Sequence, residues 1–185
     1  MIRLHISAIL FGTALLAGCV DRPTLSEPAT VGSGPYLLGA GDDLRIVVYD
    51  QPSLTNLYEV DQSGQISMPL IGDVPARDST ADELANRIEA RLATAYLKEP
   101  NVTVEVATYR PFFVLGEVGT PGQFPYVPGI TAETAIAVAG GYTDRANRRV
   151  VRVSRTVNGQ LFEERIPVIE RIRPGDTVYV FESLF

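Results

Sequence analysis

The sequence predicts an α+β fold in two small consecutive units, and three observations carry that expectation. Short runs of alternating apolar residues, bounded by Gly, Pro, Asn and Asp, recur from residue 36 almost to the C-terminus, as half-buried strands do. One long segment, STADELANRIEARLATAYLKEP, changes to a helical period, and a shorter one, TAETAIAVAGG, does so again later. Asn158-Gly159 separates two strand-like runs, a strong hairpin signal.

The first expected unit covers residues 36–109 and combines a sheet with one helix. The turn-forming GAGDD precedes LRIVVYD, rich in β-branched and aromatic residues, and LYEV and GQISMPL follow as further strands. In the helical segment Leu84, Ile88, Leu92 and Ala95 lie along one side, with acids and arginines elsewhere. Thr80 and Glu83 have capping-box spacing, and Pro100 closes the segment. Burial of Leu84, Ile88 and Leu92 contributes roughly 1.5–3 kcal/mol each, so the helix is expected to dock on the sheet. NVTVEVATY then returns to period two, with Val102, Val104 and Val106 on one face.

The second expected unit covers residues 110–185. FFVLGEV reads as a strand, GTPGQFPYVPG as a Gly/Pro-rich turn region, and TAETAIAVAGG as a short helix started at Thr131 and stopped by Gly140 and Gly141. The hairpin VVRVSRTVNGQLFEERIPV and a last strand in RPGDTVYVF complete the order strand, helix, hairpin, strand that a small β-grasp-like domain needs. In GAGDD and RPGD a glycine permits a tight turn and an aspartate can accept from nearby amides, so Asp42 and Asp176 read as structural, with direct ligand contact the alternative. Gly116, Pro121 and Gly122 read as backbone punctuation.

Residues 1–18 have the build of a secretory signal: an early Arg3, the apolar run ISAILFGTALLAG, then small residues. The run is shorter than the roughly 20 residues that span a bilayer. It ends at LAGC, which resembles the bacterial lipobox, and the only cysteine, Cys19, stands where that motif is cut and acylated. An ordinary secretory signal with an incidental cysteine is the alternative. One acyl chain holds a protein marginally and several hold it firmly, and the resemblance implies three. Val20 follows the cysteine and Asp21 lies one place too late for an inner-membrane retention signal, so the expected address is the outer membrane, facing the periplasm. Residues 19–35, rich in Pro, Ser, Thr and Gly, read as a flexible tether.

Composition narrows the chemistry. A net charge of −6 and a pI near 4.8 argue against a nucleic-acid partner, which needs a basic surface. The single histidine, His5, lies in the leader, and the only lysine is Lys98. Serine-histidine and cysteine-histidine catalysis and histidine-based metal sites are thereby excluded from the processed chain. Paired carboxylates remain, at Asp42 and Asp43, Asp82 and Glu83, and Glu163 and Glu164. Adjacency does not place two carboxyls across a cleft, so these read first as solvated or capping acids.

Several long motifs, in order, resemble the outer-membrane polysaccharide export lipoproteins, the Wza-like family. YLLGAGDDLRIVVYDQPSL, VDQSGQISMPLIGDVPARDSTADELANRIEARL and YLKEPNVTVEV are similar to the family's export domain. VLGEVGTPGQFPYVPGITAETAIAVAGGYTDRA and IRPGDTVYV are similar to its soluble-ligand-binding (SLBB) β-grasp domain. The resemblance implies a conduit and not an enzyme, with no cofactor beyond the covalent lipid on Cys19. It implies a homo-oligomeric ring, octameric in the best-known relatives, that passes a capsular polysaccharide or exopolysaccharide to the surface with an inner-membrane polysaccharide co-polymerase. A ring needs two different complementary faces on each subunit. Larger members carry further β-grasp repeats and a C-terminal transmembrane helix. The sequence here reaches YVFESLF straight after its last predicted strand, so the expectation is a short form served by a separate outer-membrane β-barrel. A periplasmic glycan-binding lipoprotein without a transport role is the alternative.

DRANRRVVRVSR brings Arg145, Arg148, Arg149, Arg152 and Arg155 into one segment of an acidic chain. Guanidinium forks suit carboxylates, so these arginines are candidates to contact an acidic polysaccharide or a neighbouring subunit. The segment reads equally as a solvated strand face whose aliphatic stems cover apolar surface.

Overall fold

The computed structural model describes residues 34–157 and 159–183, so the expected leader, Cys19 and most of the tether lie outside the described residues. The fold is α+β. Its buried apolar side chains fall into two clusters, one built from Leu38 to Val104 and the other from Phe112 to Val180.

The first cluster forms between a sheet and a helix. Strands β1 (Asp43–Val48), β2 (Asn56–Glu59) and β5 (Val102–Thr108) make an antiparallel sheet in the order β2-β1-β5. Alternation along β1 turns Leu44, Ile46 and Val48 inward, as the period-two pattern requires. Helix α1 (Ala81–Ala95) starts at a complete capping box, Thr80 Oγ1 accepting from the Glu83 amide while Glu83 Oε2 accepts from the Thr80 amide. Leu84, Ile88 and Leu92 are fully buried. Ala95 shares their stripe by spacing but is exposed: it is the last helical residue, and Leu97 beyond the helix packs on the core instead.

A separate hairpin of β3 (Gln65–Met68) and β4 (Gly72–Pro75) sets Ile66 opposite Val74, both inside. Strand β4 is absent from the sequence expectation because GDVP has one apolar residue able to mark an inward face. Its strand character comes from pairing with β3.

The second cluster lies between helix α2 (Ala132–Val138) and a five-stranded sheet ordered β7-β6-β10-β8-β9. The strands are β6 (Phe112–Gly116), β7 (Gly122–Phe124), β8 (Ala146–Val157), β9 (Gln160–Pro167) and β10 (Thr177–Glu182). First strand β6 runs parallel to last strand β10, and the other pairs are antiparallel. This is the β-grasp arrangement, as expected. Strand β7 occupies what reads in sequence as a turn region, since Phe112 pairs with Phe124 across that turn.

Each unit enters a strand through the same turn. In the first, Asp42 Oδ2 accepts from the Gly39 amide at 2.8 Å and the Asp42 amide donates to the Gly39 carbonyl at 3.1 Å. In the second, Asp176 Oδ2 accepts from the Arg173 amide at 2.7 Å and the Asp176 amide donates to the Arg173 carbonyl at 3.1 Å. Gly41 and Gly175 precede the aspartates with φ of 88° and 83°, a region a side chain rarely tolerates. Both aspartates are fully buried, in keeping with the structural reading of GAGDD and RPGD.

Candidate functional site

Strand parity separates the candidate arginines. Residues 151, 153 and 155 of β8 point inward, so Arg155 is carried under the sheet with Val151 and Val153. There its Nε and Nη2 donate to the two oxygens of Asp176 at 2.7 and 2.6 Å, a bidentate pair. Arg155 is 8% exposed, so it is withdrawn from the surface set and acts as part of the RPGD turn.

The other four reach the surface in different ways. Arg152 lies over the Tyr179 ring at 4.9 Å and 3.8 Å from Glu163, which also accepts from Ser154 Oγ. Arg145 bridges Glu182 at 3.3 Å and Glu117 at 3.8 Å, while Thr143 Oγ1 donates to Glu117 at 2.6 Å. Arg148 stands over the Tyr142 ring at 5.6 Å. Arg148 and Arg149, both exposed, line one groove.

That groove, about 630 Å³ and open to solvent, is bounded by the start of β8, the end of β9 and the end of β10. Its third arginine, Arg165, was not among the candidates. Arg165 stands over the Phe181 ring at 5.0 Å and is the cross-strand partner of Arg152. A signal for it exists: a two-residue Asn158-Gly159 turn pairs Val157 with Gln160, and the same register sets Arg152 opposite Arg165. No carboxylate of the described residues lies within ion-pair distance of Arg148, Arg149 or Arg165. The arrangement offers guanidinium donors at a concave surface, which suits anion binding, and the one carboxylate that lines it, Glu182, pairs with Arg145 at 3.3 Å.

One acid of each adjacent pair has a local hydrogen bond or ion pair. Asp42 is buried in its turn, Glu83 caps α1 beside Asp82 in the first helical turn, and Glu163 serves Ser154 and Arg152. Among the described residues no group of three or more His, Cys, Asp or Glu side chains is placed to hold a metal ion. Among them, too, no helix is long and apolar enough to cross a membrane.

The first core and its turn coincide with a family model: residues 31–107 match the polysaccharide biosynthesis/export protein model. Residues 111–162 match the SLBB domain model. The chain belongs to the polysaccharide export family. Within that family it is similar to the exopolysaccharide production protein ExoF of Rhizobium meliloti (strain 1021), with 34% identity over 150 residues, 75% of this chain and 35% of ExoF. It is also similar to the EPS I polysaccharide export outer membrane protein EpsA of Ralstonia nicotianae, with 30% identity over 155 residues, 69% of this chain and 40% of EpsA. The EpsA of Ralstonia solanacearum is 35% identical over 164 residues, 72% of this chain and 42% of that protein. The chain thus spans about two-fifths of the length of these curated relatives. The SLBB match takes in Arg145 to Arg155 and stops short of Arg165 and Phe181, so the groove straddles the edge of the matched region.

Proposed function

We propose that this protein is a non-catalytic component of a route that carries a capsular polysaccharide or exopolysaccharide through the periplasm to the cell surface. It is anchored by acylated Cys19 to the outer membrane, faces the periplasm, assembles as a ring and works with an inner-membrane polysaccharide co-polymerase. The observation that carries this reading is the succession of an export-family match and an SLBB match along one chain, with relatives named for exopolysaccharide production and export. In each adjacent acid pair one member, Asp42, Glu83 or Glu163, is engaged in a turn, a cap or an ion pair, which fits a conduit better than a pair of catalytic carboxyls.

The competing reading is a glycan-binding lipoprotein with no transport role, favoured by the arginine groove, which needs no ring to exist. Deletion and complementation in a strain free of paralogues separates the two. External polymer that disappears on deletion and returns with the gene, together with cross-linked oligomers in the envelope, supports export. Unchanged external polymer and a monomeric protein overturn it in favour of the binding role.

A further inference from the structure

We propose that the groove of Arg148, Arg149 and Arg165 binds the carboxylate-bearing sugar units of an anionic glycan. The choice of a glycan rests on the export reading above; the choice of an anion rests on the groove alone.

Charge is the first argument. The protein carries a net −6, and Arg110, Arg145, Arg152 and Arg155 each have a carboxylate partner. Among the described residues Arg148, Arg149 and Arg165 have none and line a single concavity, whereas Arg77, Arg87, Arg91 and Arg173, also without a carboxylate, donate to backbone carbonyls. The acid that lines the same groove, Glu182, is drawn off by Arg145 at 3.3 Å, which lowers its competition for the guanidinium donors. The hairpin register sets Arg165 of β9 opposite Arg152 of β8, whose own partner is Glu163.

Position is the second argument. Tyr142 lies under Arg148 and Phe181 under Arg165, and a guanidinium stacked on a ring keeps its in-plane N–H donors directed outward. Two of the three forks are thus held in place before a ligand arrives, which reduces the ordering cost of binding. The main chain at Arg149 is held by its amide, which donates to Asn147 Oδ1 at 2.9 Å, and by its carbonyl, which accepts from the Val168 amide at 3.2 Å, while its side chain is exposed.

Size and lining choose the ligand. A groove near 630 Å³ lies within the range of about 300–1,000 Å³ typical of small-ligand clefts. Its lining mixes Val150 and Phe181 with Asn147 and Ser183, so apolar contact and hydroxyl pairing are both available beside the charged forks. A uronate unit presents that combination: a carboxylate for an arginine fork, an apolar C–H face and several hydroxyls.

The test is calorimetric titration of the purified whole chain with hexagalacturonate, with maltohexaose and a hexaglutamate peptide as controls. Hexagalacturonate is expected to bind, weaken with added salt and outcompete both controls. Arg148→Gln with Arg149→Gln, and separately Arg165→Gln, are expected to weaken it by about tenfold or more, with the melting temperature unchanged. Equal binding of maltohexaose, or no effect of the substitutions, overturns the inference. Preference for hexaglutamate also overturns it and points to an acidic protein partner. In cells, abolished export on deletion but normal export by the triple variant R148Q/R149Q/R165Q sinks the groove and leaves the export reading standing. Arginine-dependent hexagalacturonate binding with external polymer unchanged on deletion does the reverse.

Discussion

Arg110 ties the turn of one unit to the turn of the other through Asp42. Its Nη1 lies 3.3 Å from Asp42 Oδ2, its amide donates to Asp42 Oδ1 at 2.9 Å, and its Nε donates to the Pro174 carbonyl at 3.2 Å. Glycines on both sides make room for it: a Cβ at Gly39 would fall 1.9 Å from Arg110 Nη1, and one at Gly175 2.7 Å from Nε. Tyr36 closes the joint, its hydroxyl donating to Asp42 Oδ2 at 2.6 Å.

Asp42→Ala is expected to cost about 3 kcal/mol in urea unfolding, because it strands two amides, a phenol and a guanidinium at a fully buried position. A cost under about 1 kcal/mol would mean that water replaces the carboxylate and that the pin is dispensable.

The candidate arginines separate by stability. Arg155→Gln breaks a buried bidentate pair and is expected to cost about 3–5 kcal/mol. Arg148→Gln and Arg149→Gln change exposed side chains and should stay within about 0.5 kcal/mol of the parent. Chemical denaturation of the three variants checks both halves, and similar losses at Arg148 and Arg155 would contradict the assignment of one to the surface and the other to the turn.

Gly116→Ala is expected to disrupt the parallel β6–β10 pairing. Gly116 has a φ of 88°, and an added Cβ would lie 2.1 Å from the Val180 carbonyl oxygen, backbone that cannot rotate away. We expect a loss above about 2 kcal/mol, with faster hydrogen exchange at Tyr179 and Val180. Wild-type exchange at those amides would refute the prediction.

Tyr36 makes the joint sensitive to alkali. Burial first, then its hydrogen bond to Asp42, raises the hydroxyl above its ordinary value of 10.0. A raised folded value contributes stability that is complete below the unfolded value of about 10 and is lost as pH rises past it, since the unfolded chain releases the proton first. Tyr36→Phe should therefore be about 1 kcal/mol weaker at neutral pH yet lose less between about pH 9 and 11 in thermal melts. Tyr58 and Tyr126 are also raised by burial, so the alkaline slope should shrink without vanishing. An unaltered slope would remove Tyr36 from the account.

By itself the sequence determined the local elements. Capping-box spacing and the stripe of Leu84, Ile88 and Leu92 located α1, alternation located β1 and β5, and Asn158-Gly159 located the β8–β9 hairpin. The inward turn of Arg155 was also available from parity with Val151 and Val153, although the run of arginines reads at first as a single patch. These features follow from residues a few places apart, where helical or strand period alone decides which side chains share a face. Only the tertiary structure decided what those faces meet. Asp42 and Arg110 are 68 residues apart, Arg155 and Asp176 are 21 apart, and the groove takes its walls from β8, β9 and β10. Such contacts depend on strand order, which places β10 between β6 and β8 and thereby brings Phe181 beside Arg165. No local period encodes that order: it is set by the packing of two cores, in which each strand finds the neighbours that bury the most apolar surface.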